Sequence, residues 1–87
     1  MNIYWIYQTR NLNYDTYDSA IVCAKNEDDA RLIHPDNNNR WNPETKNWTP
    51  YQWDRTWTLP YNVSVSYIGI AAPNIREGVV LASFNAE

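Results

Sequence analysis

Cysteine, histidine and glycine are nearly missing from this sequence, and each scarcity removes a class of chemistry. Cys23 is the only cysteine among 87 residues, so no intrachain disulfide can form. Its neighbours Val22 and Ala24 mark it as a small core residue, and a free thiol suits a reducing cytoplasm. His34 is the only histidine, which excludes a phosphoesterase built on paired histidines, and one His with one Cys cannot assemble a structural zinc site. No metal and no cofactor are expected. Gly69 and Gly78 are the only glycines and neither opens a helix after a strand, so a phosphate-cradling loop of the Walker or dinucleotide type is excluded. Nowhere do eighteen apolar residues run together, and Met1 to Tyr7 has neither a basic leader nor a small-residue cleavage site. A soluble, cytoplasmic protein is expected, with no membrane contact. Ten acids against seven bases give a net charge of -3, which leaves no electrostatic footprint for duplex nucleic acid. Ser19 or Ser83 can be drawn together with His34 and Asp18 as a nucleophilic set, but no nucleophile elbow surrounds either serine. The protein is read as non-catalytic.

What the sequence does have is tryptophan. Trp41, Trp48, Trp53 and Trp57 fall in a stretch otherwise made mostly of Asn, Pro, Thr and charge. Each ring buries on the order of 200 Å², so such a segment either folds its rings onto the core or shows them to a flat ligand or partner. Both uses are open from sequence. Hydrophobic residues at 44% and charged residues at 20% are those of a folded globular chain. Eighty-seven residues form a single domain, 1–87, near the size at which one core barely suffices. A homodimer or higher oligomer that buries part of the Trp41 to Trp57 segment is therefore expected.

Along the chain, Ile3 to Tyr7 is a continuous apolar run, as for a strand buried on both faces. Asn11 to Asp18 carries turn chemistry and leads to a second strand at Ser19 to Ala24, completing a hairpin. Asn26 is an N-cap followed by acids at 27, 28 and 29, and Pro35 stops the pattern. A helix over about residues 27 to 34 follows, with Ala30 and Ile33 inward and His34 capping its C-terminus. From Asp36 to Pro50 there is no periodicity, and the Asn37–Asn38–Asn39 run with Pro43 and Pro50 indicates an ordered loop. Tyr51, Trp53, Arg55, Trp57 and Leu59 alternate with polar residues, the pattern of a half-buried strand with one aromatic face. Pro60 and Asn62 supply a turn, Val63 to Ile70 is a strand, Pro73 to Gly78 is a hairpin connection and Val79 to Phe84 is the last strand. The fold class is α+β: a small antiparallel β-sheet with one short helix on a face and a Trp-rich excursion.

The hairpin YDTYDSAIVCA, the helix NEDDARLIHP and the tail EGVVLASFNAE together resemble a group of small accessory proteins of tailed bacteriophages, over Tyr14 to Pro35 and Val63 to Glu87. The Trp-rich segment between these regions is longer than in that group, and no residue role comes with the resemblance. What it implies is a setting in the cytoplasm of an infected host cell. The resemblance further implies interference with host defence, which small accessory phage proteins often achieve by sequestering a signalling nucleotide or by gripping a defence protein.

Two functions fit the residues. In the first, aromatic rings sandwich a purine and arginines meet its phosphates, a stack contributing roughly 1–3 kcal/mol per base. Arginine outnumbers lysine five to two, which suits bidentate or stacked recognition. Tyr14, Tyr17 and Asp18 of the hairpin, together with Trp41, Trp48, Trp53, Arg55 and Trp57, are the candidate ligand-binding residues, Arg55 foremost because it lies between two tryptophans on the aromatic face. In the second, the same Trp, Tyr and Arg side chains form a hot spot for a host defence protein, in the manner of an anti-CRISPR inhibitor. A deep pocket favours the first and a flat exposed patch the second.

Overall fold

The computed structural model describes residues 1–10, 15–49 and 56–85. Within them are β1 (Asn2–Tyr7), β2 (Thr16–Ala24), α1 (Glu27–Arg31), β3 (Arg40–Asn42), β4 (Asn47–Thr49), a 3-10 turn (Pro60–Asn62), β5 (Ser64–Ile70) and β6 (Gly78–Asn85). The class is α+β, an antiparallel sheet with a short helix. Four strands form that sheet in the order β5-β1-β2-β6, and β3 pairs with β4 as a separate hairpin.

Period-two patterning explains the sheet. Tyr4 and Ile6 of β1 pair with Val22 and Ala20 of β2, and all four are buried on one face with Ala24, Ala30, Trp48, Trp57 and Val63. The alternate residues of β1 point the other way, and Trp5 is exposed. The first strand is therefore buried on one face only, because helix, hairpin and Trp57 all lie on the same side of the sheet. Small residues on β2 and α1 (Ala20, Ala24 and Ala30, all buried) let that layer approach closely.

Asn26 caps α1 as its composition predicts, its Oδ1 accepting from the Asp29 N–H at 2.8 Å. The helix has five residues, three fewer than expected. Pro35 disfavours helical backbone at His34, and Ile33 instead bridges to Arg40. Arg31 Nε donates to the Val63 carbonyl at 3.2 Å, tying the helix to the start of β5.

Besides the paired strands β3 and β4, which lie where a loop was expected from Asp36 onward, two expectations for the rest of the chain change. The Pro73 to Gly78 connection is not a hairpin, because β5 and β6 occupy opposite edges of the sheet. Residues 71–77 cross the ends of β1 and β2, a gap of about 14 Å at ~4.8 Å per strand, and seven residues reach beyond that. The aromatic strand at Tyr51 to Leu59 is the second change. Residues 51–55, with Trp53 and Arg55, lie outside the described residues, and 56–59 form no strand although Trp57 is buried and Leu59 packs against the core.

Candidate functional site

The Asn-rich segment after the helix is ordered by one carboxylate. Asp36 Oδ1 accepts from the backbone N–H groups of Asn38 at 2.8 Å and Asn39 at 3.0 Å, while Oδ2 accepts from the Asn39 side chain at 2.7 Å. Asn37 adopts left-handed backbone at φ 63, which Asn tolerates. The Asp36 N–H donates to His34 Nδ1 at 3.1 Å. Burial alone pushes the Asp36 carboxyl up. The N–H groups of Asn39 and Asn38, the positive charge His34 carries when protonated and the Asn39 amide outweigh it and hold the pKa below its ordinary value of 3.8. A depressed folded value means stability that is present above the unfolded pKa and lost as pH falls through the folded one. Acid titration of the wild type should therefore lose stability below about pH 4, and Asp36→Asn should flatten that limb. An unchanged acid limb in Asp36→Asn would show that the carboxylate carries no such linkage.

The loop delivers the chain to the β3–β4 hairpin. Asn42 Oδ1 accepts from Glu44 N at 2.9 Å, and Lys46 takes φ 53 to close the turn. Trp41 and Trp48 are register partners with rings 5.4 Å apart and edge-on, a cross-strand pair that holds two short strands together. Trp48 points into the core, its Nε1 donating to the Thr58 carbonyl at 3.0 Å. There it meets His34, edge-on at 5.0 Å between ring centroids, with Trp57 at 6.4 Å and Tyr17 at 6.3 Å from the same imidazole. His34 is thus a core residue beyond the helix end, and the C-cap is Leu32.

This geometry divides the candidate residues. Trp48 and Trp57 are 2% and 4% exposed, with their ring faces covered by the chain itself. Tyr17 is half-buried against Phe84 and His34, and Trp41 is half-buried against Trp48. Asp18 is exposed, at the point where the β2–β6 register shifts. Tyr14, Trp53 and Arg55 lie outside the described residues.

An open cleft of about 400 Å³ lies beside the helix, lined by Asp29, Ile33, His34, Asn37, Arg40 and Glu77 among others. None of the described candidate rings, Tyr17, Trp41, Trp48 and Trp57, lines it. Its cation, Arg40, already donates to the carbonyls of Asn37 at 3.2 Å and Asn39 at 3.1 Å, and two carboxylates share the rim. No protein-family model, curated protein or solved structure matches the chain. Among the described residues no group of three or more His, Cys, Asp or Glu side chains is placed to hold a metal ion.

The surface that sequence reasoning missed is the sheet itself. Its four strands contain a single charged residue, Asp18, although a fifth of the chain is charged. Both edge strands lack charge and proline, and large side chains stand exposed on them: Tyr67, Ile68 and Ile70 on β5, Val80, Leu81 and Phe84 on β6. The signal was present as that missing charge, but apolar strands read equally well as strands covered on both sides.

Proposed function

We propose that the protein is a non-catalytic binding module that acts by protein contact, gripping a partner along the outer edge of β5, which no described strand covers. The observation that carries this reading is the exposure of Tyr67 at 58%, Ile68 at 55% and Ile70 at 81% on an edge strand without Lys, Pro or any charge. Folded proteins guard such edges, because a row of unpaired N–H and C=O groups templates another strand. An unguarded one flanked by aromatic and aliphatic side chains suits β-strand addition, in which main-chain bonds give affinity and alternate side chains give specificity. β5 breaks register with β1 once, at Ile68, whereas the opposite and equally uncharged edge, β6, breaks register with β2 at two places, and such irregularities blunt an edge. The phage resemblance supplies the setting, in which the partner is a component of a host defence complex.

Sequestration of a signalling nucleotide has less support. Two of its rings are core residues, and among the described residues the cleft beside the helix is lined by no Trp or Tyr ring and carries the carboxylates of Asp29 and Glu77.

The edge is tested with Ile68→Lys combined with Ile70→Lys, two exposed positions at which charge leaves the core untouched. The double variant should keep its thermal midpoint and lose counter-defence activity, together with the photocrosslink to a defence-complex subunit formed from a benzoyl-phenylalanine placed at Tyr67. Full activity in the double variant would remove β5 from the contact. Saturable heat on titrating a signalling nucleotide into the wild type would overturn the protein-contact reading.

A further inference from the structure

A second surface, distinct from the β5 edge, is the outer face of the sheet. By register, Ser66, Trp5, Ile21 and Leu81 form one row across β5, β1, β2 and β6, and Ser64, Tyr7, Ser19 and Ser83 form the next. In the first row Trp5, Ile21 and Leu81 form a ridge of large apolar side chains that ends at Ser66, with Leu81 68% exposed. The second is a trough of serines, in which Tyr7 leans back onto Trp5 with ring centroids 4.1 Å apart. A hollow of about 210 Å³ opens among Trp5, Ser19, Ile21, Leu81 and Ser83. At the far end of the face Cys23 is buried, its Sγ 3.9 Å from the Ile75 carbonyl of the connection between β5 and β6.

We infer that this face is covered by a second copy of the same chain, stacked sheet on sheet about a two-fold axis that runs across the strands between the ridge and the trough. Three observations choose that occupant. Such an axis places the ridge of each copy over the trough of the other, so one surface supplies both halves of the fit, as an isologous interface requires. Trp5 then faces Tyr7 of the other copy, Ile21 faces Ser19, and Leu81 faces Ser83. Neither row contains a charge, so two chains of net charge -3 meet without opposing like-charged side chains across the contact. Lastly, the chain is a slab of 34 × 32 × 19 Å with its packing layer on one side of the sheet. A second sheet stacked on the bare face at ~10 Å supplies the missing second layer. The dimer keeps Trp48 and Trp57 in each protomer's own core, unlike an oligomer closed by the Trp-rich segment. It also leaves β5 open for a partner.

Light scattering at micromolar and higher concentrations should give twice the 10.3 kDa chain mass. Leu81→Glu and Ser83→Arg, both at exposed positions, should each halve that mass with an unchanged circular dichroism spectrum. Mixing the two variants should restore the dimer, because the new carboxylate of one copy then meets the new guanidinium of the other. A wild type that is monomeric throughout this range overturns the proposal, as does a dimer that survives both single substitutions. A dimer lost in each variant but not restored on mixing overturns the ridge-over-trough register. Each readout is independent of the β5 lysines, so the partner contact and the dimer fail separately.

Discussion

Trp48→Ala is expected to destabilise the protein by roughly 3–5 kcal/mol, the range for deleting a buried aromatic side chain. The ring is almost wholly enclosed, joins the hairpin to the sheet and donates to Thr58. Its removal would leave a void against His34 and Trp41 and deprive the Thr58 carbonyl of its partner. Since whole domains are stable by only about 5–15 kcal/mol, urea denaturation should show a variant near the limit of folding. Trp41→Ala, at a half-buried position in the same hairpin, should cost less than half as much. A Trp48→Ala midpoint indistinguishable from wild type would mean that the ring is not part of the core, and would return it to the candidate ligand surface.

His34→Ala is the second large effect, expected at roughly 2–4 kcal/mol. The imidazole fills the space among Trp48, Trp57 and Tyr17 and accepts from the Asp36 N–H, so its loss creates a cavity and removes an acceptor from the loop. At about 4–8 °C per kcal/mol for a domain of this size, the thermal midpoint should fall by roughly 10–20 °C. His34→Gln keeps an acceptor without the ring and should fall in between. Because the role is packing, both variants should retain the proposed counter-defence activity below their midpoints. Loss of that activity in a fully folded variant would reopen catalysis, and an unchanged midpoint in His34→Ala would contradict the packing role.

Much of the fold was legible because the strands carry their own period. Val63, Val65 and Tyr67 alternate with serines, Ile21 and Val22 favour extended backbone, and Asn26 with its three acids announces a helix start. The β3–β4 hairpin was not legible, since three-residue strands are too short to express a period and are held by the Trp41–Trp48 pair and the Asn42 turn. Strand order escaped for a different reason: nothing in Pro73 to Gly78 distinguishes a tight reversal from a crossing past the ends of two strands. The tryptophans were rightly singled out as informative, yet residue type alone could not separate Trp48 and Trp57, now core, from rings on display. His34 illustrates the same limit, because a histidine next to a proline reads as a helix cap until the hairpin is seen to fold over it.

The crossing between the two edge strands also governs how the molecule can form. β1 finds its first neighbour nearby, in β2, but its second neighbour lies about sixty positions away, as in the pairing of Ile6 with Val65. An isolated two-stranded hairpin is at best marginal in water, so β1 and β2 have little persistence until the distant strand arrives. The entropy of closing so long a loop grows only logarithmically with its length. The delay therefore appears in the kinetics, where non-local pairing slows folding, more than in the final stability. Until that closure, the largely apolar strands of the hairpin, with Asp18 their one charge, stand open on both sides to any other nascent chain. An apolar sheet suited to association once folded thus carries its greatest hazard of misassembly beforehand, and rapid docking of β5 is what limits it.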